Sequence, residues 1–229
     1  MSDAIRTTAL SKVYAQGQSR VRALDDVSLS IAPRQFVAVM GASGSGNSTL
    51  LHVVAGLARP TSGEVMLNGQ TISAMSDDQL TAFRRQHIGL IFQSFNLLPT
   101  MSALENAALP LLINGARLGA ARQQAQAMLG TVGLSDRAAH RPDELSGGQQ
   151  QRVAIARALI TQAPILLADE PTGNLDSHTG EDILALLRAL VTEHHRTVVM
   201  VTHDVRAAGY ADRLIVLKDG RVVDEGRIA

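Results

Sequence analysis

Three short stretches of this chain are apolar at nearly every position: Phe36 to Met40, Ile165 to Ala168 and Thr197 to Thr202. Runs of this kind mark strands covered on both faces, and they predict a central parallel sheet. Ahead of them, Arg6 to Tyr14 and Val21 to Ile31 show mixed alternation with turn residues between them, which predicts antiparallel strands. Helical spacing follows each apolar run, at Ser48 to Gly56, Thr179 to His194 and a short piece from Val205 to Tyr210. From about Phe95 to Thr161 the strand signal vanishes, and helical stretches at Ser102 to Ile113, Ala120 to Val132 and Gly147 to Ile160 take over. The pattern predicts one α/β domain over 1–229. It has a central, mainly parallel sheet, an N-terminal antiparallel β region and an inserted α-helical subdomain at about 95–161. No internal repeat, low-complexity tract or flexible linker interrupts it.

Composition narrows the class. A chain of 229 residues buries roughly 70% of its unfolded surface and folds without staples. Cysteine is absent, so there is no disulfide framework and no thiolate metal site, as expected in a reducing compartment. No apolar run approaches the roughly 18 residues of a membrane span. The opening MSDAIRTTAL lacks a basic segment followed by an apolar core. The expectation is a cytoplasmic protein. Twenty-one basic residues balance twenty-one acidic ones, aromatics are 3% and tryptophan is absent, which disfavours nucleic-acid binding through a basic face or a stacking platform.

Two glycine turns and one carboxylate pair carry the candidate chemistry. Gly41, Ala42, Ser43, Gly44, Ser45, Gly46, Asn47, Ser48 and Thr49 follow the first apolar run. They fit the phosphate-loop pattern G-x-x-x-x-G-K-[ST] except that Asn47 stands where the lysine belongs. The loop retains its backbone N–H groups and the positive end of the helix that follows, so it can still cradle phosphate. A second turn, Leu145-Ser146-Gly147-Gly148-Gln149, puts an N-capping serine and two glycines at the start of a helix, which makes a second anion cradle. A Ser-Gly-Gly turn is by itself also an ordinary cap. Asp169 and Glu170 end the second apolar run, where open α/β sheets gather their ligands. Asp169 is suited to hold Mg2+ through water and Glu170 to orient and deprotonate an attacking water. The plainer alternative for this pair is a cap on the turn at Pro171, and the phosphate loop in the same chain weighs against it.

Together these residues resemble the nucleotide-binding subunit of ATP-binding cassette (ABC) transporters, over nearly the whole chain. The resemblance implies a P-loop NTPase core that binds ATP and Mg2+, with Leu145 to Gln149 as the family signature and Asp169-Glu170 closing the Walker B strand. It implies that Tyr14 stacks on adenine, and that Gly41 to Thr49 together with Ser146, Gly147, Gly148 and Gln149 bind nucleotide. Ser48, Gln93 and Asp169 would attend the metal. Glu170, His203 and Gln93 would form the catalytic set, and Asn174-Leu175-Asp176 would communicate across a dimer. It further implies a head-to-tail homodimer, in which Ser146 and Gly148 of one subunit close over nucleotide held by Gly41 to Thr49 of the other. The implied partner is an integral membrane permease, docked near Gln93 to Leu112 with Leu97, Leu98 and Met101 as groove candidates, which sets the chain on the cytoplasmic face of the inner membrane. Gln93 to Pro99, Ala103 to Asn106 and Asp169 to Asp176 resemble most the lipoprotein-release, macrolide-export and cell-division ATPases. The cargo class implied is a lipoprotein, a drug or a lipid-like molecule.

Asn47 is the departure from that pattern. A lysine ammonium ~4 Å from a phosphate charge is worth on the order of 4 kcal/mol at an effective dielectric of 20, before its own desolvation. Asparagine offers one neutral, shorter amide. Charge spreads over the γ-phosphoryl oxygens in the transition state, so the expectation is weaker ATP affinity and strongly reduced turnover. An engineered or accidental change, a naturally crippled site and recruitment of another cation all account for Asn47, with Lys12, Arg84 and Arg85 as the spare cations. A soluble cassette of the translation or repair type and a non-hydrolysing regulatory module are the competing functions. The first usually carries two cassettes or a long coiled-coil insertion, and neither is present.

Overall fold

A computed structural model describes residues 3–16 and 19–228. Two long strands, β1 (Ile5–Gln16) and β2 (Ser19–Ile31), precede β3 (Phe36–Met40), which runs into the glycine turn and α1 (Asn47–Val54). Next come β4 (Ser62–Leu67), β5 (Gln70–Thr71), α2 (Asp77–His87) and β6 (Ile88–Phe92). The strandless stretch carries α3 (Ala103–Ile113), α4 (Leu118–Thr131) and α5 (Gly147–Leu159). The chain then continues through β7 (Ile165–Asp169), α6 (Ser177–Thr192), β8 (Thr197–Val201), α7 (Val205–Ala208), β9 (Arg213–Lys218) and β10 (Arg221–Arg227).

Two sheets form. An antiparallel one has the order β2-β1-β4-β5, and the central one has the order β10-β9-β3-β8-β7-β6. In the central sheet β9, β3, β8, β7 and β6 are parallel, and β10 is an antiparallel edge. Side chains alternate faces along a strand, which explains why the central strands are apolar throughout. Phe36, Ala38, Leu166, Ala168, Val198 and Met200 join the core beneath α3, α4, α5 and α6. Val37, Val39, Ile165, Leu167, Val199 and Val201 join a second core with α1 and the antiparallel sheet. Each face has a cover, so neither set of positions can be polar.

The antiparallel β region, the three central strands and the helices at 102–113, 120–132 and 147–160 stand where the pattern puts them, with ends shifted by at most two residues. Several elements were not anticipated. The edge hairpin β9–β10 turns on Asp219-Gly220, both with positive φ (49° and 77°), a recognisable Asp-Gly hairpin signal. Helix α2 is mostly polar and buries only Leu80 and Phe83, and it is held by a Ser76/Gln79 capping box. β6 carries Gly89, which reads as a strand breaker. A Cβ there would lie 2.6 Å from Ala158 O on α5, so the glycine lets helix and strand touch.

Candidate functional site

Four adjacent strands of the central sheet end in one row. Phe92, Asp169 and Val201 are in register across β6, β7 and β8, and Val39 pairs with Val201. The next residues of each strand, Gln93, Glu170, Thr202-His203 and Met40-Gly41, therefore emerge at one edge of the sheet. They border an open cleft of about 690 Å3 lined by Tyr14, Val21, Ala23, Gly41 to Gly44, Gly46 to Thr49, Gln93, Glu170, Val201 and His203.

The glycine turn forms the floor of the cleft. Gly46, at the N-cap of α1, has φ 101° and makes no side-chain cap, so the first N–H groups of the helix stay open to an anion. Only glycine fits there, because a Cβ would lie 2.3 Å from Ala23 O. Asn47 does not reach outward. Its Nδ2 donates to Gly41 O at 3.0 Å, and its Oδ1 is buried without a partner. The neutral side chain bridges the base of the loop and brings no charge to the cleft. Two of the three spare cations are engaged elsewhere: Lys12 Nζ donates to Arg59 O at 2.7 Å, and Arg84 donates to Gly56 O and Thr81 Oγ1.

Ser48 Oγ donates to Asp169 Oδ1 at 3.1 Å. This hydroxyl–carboxylate pair supplies two hard oxygen donors, the kind Mg2+ takes when most of its shell is water and phosphate. Among the described residues no group of three His, Cys, Asp or Glu gathers as a metal cage. His52, one helical turn beyond Ser48, brings Nε2 to 3.8 Å from Asp169 Oδ2. The i, i+4 spacing from Ser48 was a sequence signal for it that went unused.

Glu170 is left-handed (φ 48°), and its N–H donates to Val201 O. Its Oε1 sits 2.7 Å from His203 Nδ1. The hydrogen bond and negative charge of Glu170 hold the His203 imidazole above its ordinary pKa. Gln93 is turned sideways: its Nε2 donates to Asn174 Oδ1 at 3.3 Å and its carbonyl accepts from Asn174 Nδ2 at 3.0 Å. Tyr14 exposes 40% of its surface and carries the Lys12 ammonium 4.9 Å from its ring centroid.

Ser146, Gly147, Gly148 and Gln149 do not line this cleft. Ser146 is the N-cap of α5 in a complete capping box: its Oγ accepts from Gln149 N at 3.3 Å and its N–H donates to Gln149 Oε1 at 3.0 Å. Gly148 is packed so closely on α6 that a Cβ would meet Thr179 Cγ2 at 2.2 Å, and at Gly147 one would meet Leu175 Cδ2 at 3.2 Å. Farther along α5 the buried Gln151 donates to Pro171 O at 2.7 Å, tying the helix to the loop after Glu170. Nothing in the sequence pattern singled that residue out. Asp176 caps α6 by accepting from Thr179 N at 3.0 Å. Of the groove candidates, Leu98 is 40% exposed, while Leu97 packs partly on the core. Among the described residues no helix is long and apolar enough to cross a membrane.

Comparison with known proteins places these features. The sequence model of the family described as ABC transporter matches residues 24–173. The ABC transporter ATP-binding protein MJ0796 of Methanocaldococcus jannaschii is 48% identical over 228 residues, covering 98% of this chain and 97% of its own length. The macrolide export ATP-binding/permease protein MacB of Photorhabdus laumondii is 44% identical over 225 residues, which is 98% of this chain and 35% of that protein. The chain thus spans about a third of the length of its MacB relatives. Among solved structures, the dimeric post-hydrolysis state of the MJ0796 cassette bound to ADP and Pi matches with a TM-score of 0.91 at 44% identity, over 98% of this chain and 99% of that one. CbiO1 of Clostridium perfringens, part of the ABC transporter complex cbiONQ, matches with a TM-score of 0.88 at 26% identity, over 99% of this chain and 89% of that one.

Proposed function

The chain belongs to the ABC transporter family, and on that premise we propose that it is the ATP-binding, ATP-hydrolysing subunit of a transporter whose membrane permease is a separate protein. One observation carries the reading. Four neighbouring strand ends deliver the phosphate loop, Gln93, Glu170 and His203 to a single cleft, Asp169 stands behind it on Ser48, and the signature turn of the same chain lies outside it. A cleft so built lacks one wall, and a second copy placed head to tail supplies it with Ser146 to Gln149. Residues 1–229 then act as one ABC ATPase domain, with 95–161 as the helical insert that faces the permease.

Within each site the open N–H groups of Gly41 to Thr49 hold the phosphates, and Tyr14 offers its exposed face to the adenine. Mg2+ bound with the nucleotide would draw charge from the phosphate oxygens, and Ser48 and Asp169 are the residues that would hold it. Glu170 accepts a proton from the attacking water once its carboxylate leaves His203, and Gln93 orients that water after leaving Asn174. With Asn47 spent on Gly41 O, no side-chain cation offsets the charge that develops, so hydrolysis is slow in this chain.

The permease is the partner proposed, on the cytoplasmic face of the inner membrane, with a lipoprotein, drug or lipid-like cargo. The MacB relatives join ATP-binding and permease in one name. Two measurements test the proposal. Mg-ATP should convert monomer to dimer in Asn47→Lys protein, read by light scattering, and affinity capture from detergent-solubilised membranes should bring down an integral membrane protein. No dimer at saturating Mg-ATP, or capture of ribosomes, would sink it. The spent amide of Asn47 also favours a second reading, a module that binds nucleotide and switches without hydrolysis. Equal dimerisation with no turnover even in Asn47→Lys protein would support that reading instead.

A further inference from the structure

We infer that Arg157 is a positioning residue of the ATPase: from the signature helix it clamps the left-handed turn at Phe95-Asn96 and so fixes where Gln93 stands at the mouth of the cleft. The inference rests on the ATPase reading above and extends it to a residue outside the cleft.

Arg157 stands out on α5 by its surroundings, since Ala156, Ala158 and Leu159 beside it are buried. A guanidinium cannot be deprotonated at ordinary pH, and when half-buried it must find acceptors. Arg157 finds two adjacent backbone carbonyls some sixty residues earlier in the chain. One terminal nitrogen donates to Phe95 O at 2.7 Å and the other to Asn96 O. Those two residues have φ 61° and 51°, a left-handed conformation that costs any L-residue free energy, most of all a bulky one such as phenylalanine. Bonds inside the turn, from Phe95 N–H to Phe92 O, Asn96 N–H to Ser94 O and Ser94 Oγ to Asn96 Oδ1, favour this conformation, and its cost leaves room for a restraint from outside as well. The planar fork of Arg157, matched to two neighbouring oxygens, is that restraint.

The turn begins two residues after Gln93. Upstream, Phe92 is fixed by its pairing with Asp169. Downstream, Leu98 is fixed by Asn106, which accepts from its N–H at 2.7 Å and donates to its carbonyl at 3.1 Å. Between these anchors Gln93 is held on one side by Asn174, and on the other its backbone leads straight into the left-handed turn. The Phe95 ring also lies 3.8 Å from where a Cβ on Gly147 would stand. The signature tip of α5 thus lies near the Phe95 ring, and Arg157, ten residues on and roughly 15 Å away at the helical rise, holds the backbone of the same turn.

The test uses the full chain in the Asn47→Lys background, where turnover is measurable. Arg157→Gln should lower kcat roughly tenfold to a hundredfold, the range expected for a misplaced catalytic group, with the KM for ATP nearly unchanged because the phosphate loop is untouched. Glycine is at ease in the left-handed region. Adding Asn96→Gly to Arg157→Gln should therefore return a several-fold part of the lost kcat, a recovery that a purely structural arginine would not give. Arg157→Lys keeps the charge with a single point donor and should fall between, which covers the case in which Arg157→Gln does not fold. Unchanged kcat in folded Arg157→Gln or Arg157→Lys, or a loss that Asn96→Gly leaves untouched, overturns the proposal alone. An Asn47→Lys parent that neither binds nor hydrolyses ATP overturns the ATPase reading with it.

Discussion

The chain presents two helix N-termini built from glycine and serine, and they differ in what they do with their free N–H groups. At α1 the cap is Gly46, left-handed and without a side chain, so the helix end stays open and faces the cleft. At α5 the cap is Ser146, and its reciprocal bonds with Gln149 occupy the Gln149 N–H while those of Gly147 and Gly148 have no helical partner. The first site is ready for an anion in a single chain. The second lies outside that cleft, and on the proposed reading it meets a phosphate only when a partner brings one. The difference suits a device in which nucleotide binds one protomer first and the second protomer joins afterwards. An open turn collects the ligand, and a capped one adds the condition that a partner be present.

The sharpest way to break this comparison is to change the open turn. Asn47→Lys should raise single-turnover hydrolysis by as much as ~10³-fold, the kinetic equivalent of the ~4 kcal/mol of unshielded attraction, less the desolvation of the ammonium. Rapid-quench measurement of both proteins at saturating Mg-ATP checks it. Equal rates would mean that the open N–H groups alone carry the phosphate chemistry. In that background Glu170→Gln should cost about 10²-fold in turnover by removing the base. It should leave the Mg-ATP dimer intact and longer-lived, read by size exclusion with bound nucleotide. Loss of the dimer together with turnover would place Glu170 in assembly and not in proton transfer.

The capped turn is tested by packing. In Gly148→Ala the new methyl meets Thr179 Cγ2 at 2.2 Å, so α5 must move off α6 at a cost of about 1–3 kcal/mol. Urea unfolding should show it, and Thr179→Ser, which deletes the offending methyl, should recover most of the loss. A Gly148→Ala protein as stable as its parent would mean that the turn is loose, contrary to its close packing on α6.

How much of this was legible in the sequence depended on how local each cause was. The central strands were readable because both of their faces are covered and every position is apolar. The turn at Gly41 to Thr49 and the cap at Ser146 were readable because glycine and serine act within a few residues. Helix α2 went unread because its polar sequence buries only two side chains. β6 went unread because Gly89 answers to a neighbouring helix, a contact between residues far apart in the chain. The same limit hid the pairing of Gln93 with Asn174 and the reach of Arg157 to Phe95. Both join groups 62 to 81 residues apart in the chain, and spacing rules carry no signal at that range. Asn47 was noticed at once, but its bond to Gly41 O required the loop's three-dimensional path.

The smallest expected effect concerns the closed contact inside the open cleft, the His203–Glu170 pair. His203 is held above its ordinary pKa by Glu170, so the folded state binds a proton more tightly than the unfolded chain does. By linkage, the stabilisation from this pair is complete below the unfolded imidazole value near 6.5, and it is lost as pH rises through the higher folded value. Removing the histidine should therefore flatten the pH dependence of unfolding in the window that opens at about 6.5 and extends upward. The size should be slight, since the His203 side chain is 71% exposed and solvent screens the pair. Comparison of His203→Gln with its parent by thermal unfolding from pH 6 to 9, beside an NMR titration of the imidazole, checks sign and window together. A histidine that titrates at its unperturbed value would mean that Glu170 is free in the resting chain. The base would then need no release before it accepts a proton, and the cleft would be as open at its catalytic end as it is at the phosphate loop.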